Sequence, residues 1–418
     1  MENYEPEHNS LREIYDLIMP AGEKNLNLFN ENLNTAFREL INSITISNAA
    51  REDYKIRLLV EEGVDVNQNG FKSPLMILAS KQPNDIIFKL MKFLIQYGAD
   101  YDATISLRRT VLMYSIINRN VKLTKYLINE GADLNIQDYR GQTALMLLLQ
   151  KFEKSDLEIL NLLISKTNVN LQNKKGQTAL MLLFTHVQMN QRKSKFIDKN
   201  DYLTIIKLFI ENNADLNIAD EKGYTLLTYA INDIYRCGIN TCKYLVKQGS
   251  DINLQTKTGE TILMQLAALS QITNKYKYYK LFKYMNRCGA NVNIQNNLKE
   301  SVLIMLVKWF DLTNSNVLNY LINNANTMLN LCDINEFTAL MYCCKAFALN
   351  GLPNPNFKKT ELLIMRGAKI CADEVKLIGE DQVHESFESF INLSTNPDEL
   401  INKYKSTILN NLCEKIGI

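Results

Sequence analysis

Residues 131–149 read GADLNIQDYRGQTALMLLL, and the fold follows from this stretch because the chain keeps returning to it. Its second half, Thr143-Ala144-Leu145-Met146, recurs upstream as Ser73-Pro74-Leu75-Met76 and Thr110-Val111-Leu112-Met113. Downstream it recurs as Thr178-Ala179-Leu180-Met181, Thr225-Leu226-Leu227, Thr261-Ile262-Leu263-Met264, Ser301-Val302-Leu303 and Thr338-Ala339-Leu340-Met341. Successive copies begin 37, 33, 35, 47, 36, 40 and 37 residues apart. The first half, Gly131-Ala132-Asp133-Leu134-Asn135, keeps phase with the second. It returns as Gly63-Val64-Asp65-Val66-Asn67, Gly98-Ala99-Asp100, Asn213-Ala214-Asp215-Leu216-Asn217, Gly249-Ser250-Asp251-Ile252-Asn253 and Gly289-Ala290-Asn291-Val292-Asn293. Degenerate copies fall at 166–170, around 325–330 and at Gly367-Ala368-Lys369. Self-similarity at such a period marks a stack of small units rather than several globular cores.

Each part of the unit has a mechanical role. Ser or Thr ahead of an apolar run is a helix N-cap, its hydroxyl accepting from an orphaned backbone N–H. The run Ala144–Leu149 is apolar all round, as a helix squeezed between neighbours must be. A second helix shows a one-sided stripe: Ile87, Leu90, Met91 and Leu94 in one copy, Leu157, Leu160 and Ile164 in another. Glycine after that helix suits a left-handed C-cap, and the Asp and Asn that follow favour turns. One such unit cannot bury its own apolar faces, so stacking is obligatory.

These motifs resemble the ankyrin repeat, whose consensus runs G-x-T-P-L-H, a helix pair, then G-A-D-x-N. The resemblance covers residues 36–371, with eight full units and a half unit before them. It implies an all-α solenoid of helix-turn-helix units joined by hairpin loops and closed by helical caps. Two departures stand out. The consensus His is absent, with Met usually in its place, and the small pair in the first helix is enlarged to Leu-Leu or Ile-Leu. Larger inner residues push neighbouring units apart or alter the curvature. The wording N-I-Q-D/N-x-x-G-x-T-A-L-M, the long units and the Asn/Lys/Ile-rich composition are similar to ankyrin proteins of amoeba-infecting giant viruses.

Composition agrees with a folded helical chain. Of 418 residues, 46% are hydrophobic and 22% charged, and Gly (16) and Pro (7) are too few for a turn-rich sandwich or barrel. Forty-seven basic against 45 acidic residues leave a net charge of +2, which offers no global attraction to nucleic acid or anionic membrane. The longest apolar runs, Ala144–Leu149 and Val302–Val307, are too short to span a bilayer. All eight cysteines lie in the second half without a C-x-x-C pair, and the first residues, MENYEPEHNS, do not read as a signal peptide. Reduced thiols and an intracellular setting, the cytoplasm of a host cell, are the expectation.

Outside the array the expected divisions are an N-terminal extension at 1–35, with a short helix over Leu11–Met19, and a C-terminal helical cap at 372–418. Extra length concentrates between the paired helices, at 191–199 and 349–356.

No catalytic chemistry is legible. His8, His186 and His384 are far apart, and no zinc spacing, P-loop, G-x-G-x-x-G or G-x-S-x-G occurs. Adjacent Cys343 and Cys344 read as core packing. The expectation is a non-enzyme without cofactor or metal.

In ankyrin proteins the hairpin tips form a ridge beside the concave face, where partners commonly bind. Here the tips carry Lys72, Arg108, Arg109, Arg140, Lys174, Lys175, Lys222, Lys257 and Lys299, which stacking would align into a broken basic stripe. Asp138, Asp220, Glu221, Glu260 and Glu300 share those loops and would partly neutralise it. The expected partner is a protein, acidic in character and a host protein if the chain is viral, bound by a monomer at the tips and inner helices. Nucleic acid and membrane are not expected, because the tips offer few aromatics to stack on bases. Two other readings remain open: a ubiquitin-ligase substrate adaptor, although neither end carries the L-P-x-E start of an F-box, and a structural or self-assembling array.

Overall fold

The computed structural model describes residues 26–67, 72–104, 106–185, 198–272, 276–309, 316–343 and 362–368. The expected Leu11–Met19 helix, the 372–418 cap and nearly all of both long insertions lie outside them. The chain divides into two compact units, Met1–Asp220 and Glu221–Ile418. The boundary falls inside one hairpin, so the array expected at 36–371 is split between two bodies. A single helix, Leu26–Ser43, carries the chain across residue 35.

In unit 1 the inner row comprises Leu26–Ser43, Pro74–Ala79, Val111–Ile117, Ala144–Gln150 and Ala179–Leu182. The outer row comprises Ala49–Glu61, Asp85–Gln96, Val121–Glu130, Leu157–Ile164 and Lys199–Glu211. Unit 2 repeats the plan. Leu226–Asn232, Ile262–Ile272 and Val302–Trp309 are inner; Ile239–Lys247, Tyr276–Arg287 and Asn316–Asn323 are outer. Among the described residues there are no strands, only isolated bridges at Gln172–Thr178 and Cys332–Thr338.

The local rules hold. Thr143 Oγ1 accepts the Met146 N–H at 3.3 Å, and the same cap forms at Ser73, Thr110, Thr178, Thr261, Ser301 and Thr338. Thr225 is the exception, with no side-chain cap bond. At two caps the Met standing in the consensus His position takes on a polar role. Met181 Sδ accepts the Thr178 N–H and Met341 Sδ the Thr338 N–H, each at 3.5 Å. Gly131 closes its helix at φ 94°, a left-handed backbone that a side chain would strain. Every residue from Ala144 to Leu149 is buried, and each fully buried leucine contributes about 1.5–3 kcal/mol of transfer free energy. The array stands mainly on that burial.

Polar side chains set the register between neighbouring repeats. In five copies the Asn that ends the motif accepts a backbone N–H from the next repeat: Asp100→Asn67, Asn168→Asn135, Asp215→Asn170, Asn291→Asn253 and Met328→Asn293. In four copies its amide also donates to a carbonyl there, of Gly98, Asn213, Gly289 and Asn326. An asparagine can do both because its amide carries a donor and an acceptor side by side.

Candidate partner-binding surface

One polar residue organises each of four described hairpins; Asp138 and Asp333 are buried, Asn173 and Asn296 half-buried. In the turn Asp138–Gln142, Asp138 Oδ1 accepts the N–H groups of Arg140 at 2.8 Å and Gln142 at 2.9 Å. Asn173 accepts from Lys175 and Gln177 in the same way, and Asn296 from Leu298 and Glu300. Asp333 accepts from Asn335 and Phe337. Burial pushes the Asp333 carboxyl up, but bonds from Tyr342, those two N–H groups and Lys308 outweigh it and hold it below its ordinary value.

The N-I-Q wording now has a cause. Gln137 Nε2 donates to Gly141 O in its own hairpin and to Gln172 O in the next. Gln172 reaches Gly176 and Ala219, Gln255 reaches Gly259 and Gln295, and Gln295 reaches Lys299 and Cys332. Backbone bonds complete the stacking of tips. In unit 1, Tyr139 N–H donates to Leu107 O at 3.0 Å and Lys174 N–H to Arg140 O at 2.9 Å. In unit 2, Lys257 bonds Lys222 O at 3.0 Å, Asn297 bonds Thr258 O at 3.0 Å, and Ile334 bonds Leu298 O at 2.9 Å. The packing leaves no room for a side chain at Gly259, where a Cβ would sit 2.6 Å from Asn297 N.

The nine basic residues therefore fall into two kinds. Arg108, Arg140, Lys174 and Lys175 in unit 1 are exposed and held in register; so are Lys222, Lys257 and Lys299 in unit 2. Arg109 and Lys72 are half-buried. Arg109 Nε lies 3.6 Å from Asp138 Oδ2, and Lys72 Nζ lies 5.0 Å from the Tyr114 ring centre. Arg108 and Lys299 occupy the position that glycine takes in other hairpins, at φ 50° and 55°. Non-glycine residues rarely adopt that conformation.

The acids placed in the same loops behave differently from the bases. Asp138, Asp220 and Glu300 are buried, whereas Glu221 is exposed and Glu260 half-buried. Glu300 pairs with Lys308 at 2.7 Å, and Lys308 also lies 3.4 Å from Asp333. Neutralisation of the tips is consequently weaker than five acids beside nine bases would imply, since buried and paired carboxylates do not face a ligand.

The basic pattern alone overlooks the apolar residues beside it. Leu107, Leu298 and Ile334 stand at the tips with 47%, 47% and 56% of their surface exposed. The signal was available: each precedes a left-handed non-glycine or lies in a hairpin that lacks glycine. A cleft of about 220 Å³ opens beside the unit 1 tips, lined by Arg109, Arg140, Ile117, Leu147, Leu148 and Lys151 among others. In unit 2 a shallower cleft of about 500 Å³ runs beside Leu298, Asn297 and Met305.

Among the described residues no group of His, Cys, Asp and Glu is arranged to hold a metal, and no helix is long and apolar enough to cross a membrane. Cys237, Cys242 and Cys343 are buried cysteines outside any disulfide. The hydrogen bond with the neighbouring Cys242 thiol, and then burial, push the Cys237 thiol far above its ordinary pKa.

Comparison with known proteins agrees with this architecture. The family model described as ankyrin repeats matches residues 21–138 and 196–274 in three copies. A putative ankyrin repeat protein of Acanthamoeba polyphaga mimivirus is 32% identical over 90 residues, 22% of this chain and 12% of that protein. The match thus spans only a small part of that relative's length. A putative ankyrin repeat protein of fowlpox virus (strain NVSL) is 30% identical over an alignment covering 28% of this chain and 72% of that protein. Among solved structures, the ankyrin repeat domain of Bcl-3 is similar at 20% identity, covering 57% of this chain and 95% of that one, with a TM-score of 0.45. An ankyrin repeat domain from Acinetobacter baumannii AYE is similar at 22% identity, 51% and 98% coverage and a TM-score of 0.40.

Proposed function

Since the chain belongs to the ankyrin-repeat family, whose repeats generally mediate protein–protein interaction, we propose that it works by holding a partner protein through its hairpin tips and inner-helix face. The family fold is typically a non-enzymatic scaffold, and this reading keeps to that class. One observation carries it. In unit 1 the stacked hairpins present Arg108, Arg140, Lys174 and Lys175 in register, while Asp138 of the same tips is buried. Apolar Leu107 and the adjoining cleft supply contact area, and the arginines supply planar, multidentate donors for carboxylates. An acidic segment of a partner, with an apolar side chain entering the cleft, meets both demands.

The test replaces Arg108, Arg140, Lys174 and Lys175 together by Glu. Proximity labelling in the native cell, with wild type and variant side by side, identifies proteins held by the first and lost by the second. Circular dichroism should be unchanged, because these side chains are exposed. An identical labelled set for a folded variant would refute the tip reading.

A further inference from the structure

Charge is distributed unequally between the outer rows of the two units. Every outer helix of unit 1 contains acidic residues, and several pair with bases: Arg57 with Asp53, Lys122 with Asp85, Lys125 with Glu158 and Lys154 with Asp201. The outer helices of unit 2, Ile239–Lys247, Tyr276–Arg287 and Asn316–Asn323, contain no Asp or Glu at all. They carry Lys243, Lys247, Lys277, Lys280, Lys283 and Arg287.

With no carboxylate on these helices, the lysines lie over tyrosine faces. Lys243 Nζ is 5.0 Å from the Tyr284 centroid, Lys280 4.9 Å from Tyr276 and Lys277 5.6 Å from Tyr235. Lys283 stands between Tyr279 at 5.8 Å and Tyr320 at 5.6 Å. Contacts of this kind at exposed sites are weak and leave ammonium donors available for a stronger anion. Burial raises the pKa values of Tyr279 and Tyr284 and pushes Tyr278 up to about 12, so these phenols stay neutral and do not offset the charge.

We propose that this outer face of unit 2 binds single-stranded nucleic acid, with phosphates on Lys277, Lys280 and Lys283 and bases stacked on Tyr235 and Tyr276. The two tyrosines are 42% and 60% exposed. A cationic surface interleaved with accessible aromatic faces is what sequence-tolerant single-strand binding requires. A duplex offers phosphates but hides the base faces, and an acidic peptide has no rings to stack. An anionic membrane would call for inserted aliphatic residues, and these helices show no exposed Leu, Ile, Val, Met or Phe among the large apolar residues left uncovered. The low net charge of the chain concealed this face, because carboxylates elsewhere in the chain cancel these bases in the count.

The full chain is titrated against a fluorescein-labelled oligouridylate of about 16 nucleotides, with a duplex of equal length, polyglutamate and phosphatidylserine vesicles as parallel probes. Binding should weaken steeply between about 50 and 200 mM salt. Replacing Lys277, Lys280 and Lys283 by Gln should lower affinity tenfold or more and flatten the logarithmic salt slope by about 2, at about 0.7 per phosphate on a single strand. Tyr276→Ser, which keeps all charges, should cost about tenfold, within the range for one stacked base. The tip variant Arg108, Arg140, Lys174 and Lys175→Glu should bind the oligonucleotide as wild type does, which separates this proposal from the tip reading. Absence of oligonucleotide binding at low salt overturns the proposal. Equal or tighter binding of duplex, polyglutamate or vesicles, or an unchanged affinity in Tyr276→Ser, also overturns it.

Discussion

Asp102 is the one described member of the cross-repeat asparagine ladder that is not asparagine, and replacing it should stabilise the protein. In five other copies an Asn oxygen accepts the next repeat's N–H at 2.7–2.8 Å. Asp102 instead shares the Asp133 N–H between its two oxygens at 3.1 Å each. It has no amide to donate to the Gly131 carbonyl, which by register stands where Gly98 O stands against Asn67. Burial raises the Asp102 pKa, the Asp133 N–H offsets this only in part, and the carboxylates of Asp100 and Asp133 raise it further. Asp102→Asn restores one amide–carbonyl bond, about 1 kcal/mol net, and removes the like-charge repulsion, while exchanging a charged acceptor for a neutral one. A gain of about 1 kcal/mol follows, or about 2–4 °C in the melting of a unit of this size. The pH dependence has a definite sign. A carboxyl whose folded pKa is raised favours folding when protonated and loses that contribution as pH rises through the folded pKa. The variant's advantage should therefore be greatest at neutral pH and shrink as pH falls towards the ordinary value of 3.8. Urea unfolding of wild type and variant at several pH values measures it. A variant no more stable than wild type at pH 7, or an advantage that does not change with pH, refutes the reasoning.

Two glycines of unit 2 separate backbone conformation from close packing. Gly289→Ala, with φ 101° and open space around the new Cβ, should cost only the left-handed strain of about 1 kcal/mol. Gly259→Ala, with φ 79° and a Cβ 2.6 Å from Asn297 N, should cost about 2–4 kcal/mol because two hairpins must also part. Equal losses in thermal or urea melts would show that the hairpins are not in close contact. Lys308→Met leaves Glu300 and Asp333 buried without their cation and should destabilise by about 3–5 kcal/mol at neutral pH. Asp333, held below its ordinary pKa, contributes stability above that value and loses it as pH falls. The Lys308→Met penalty should accordingly lessen in acid, where the stranded carboxylates take up protons; a penalty that grows in acid would count against the pairing.

Period, caps and helix pairs were readable because their determinants are local. The hydroxyl of Thr143 meets an N–H three residues on, and the stripe Ile87, Leu90, Met91 and Leu94 lies within a single helix. The character of the surface was only half readable. The sequence placed nine bases on hairpins, but which of them face solvent depends on partners in other repeats. Arg109 turns to Asp138, 29 positions away, and no spacing rule announces that pair. Nor does composition reveal that Asp138 and Glu300 are buried, or that Leu107, Leu298 and Ile334 are left exposed.

The amino-acid sequence by itself determined that this is a stack of helix pairs, since capping, glycine geometry and apolar periodicity act within about one turn of chain. Tertiary structure alone decided the division at residues 220 and 221, the odd place of Asp102 in the asparagine ladder, and the gathering of uncompensated lysines on the outer row of unit 2. Those properties depend on burial and on contacts between residues a whole repeat apart. Charges that cancel in a count need not cancel in space.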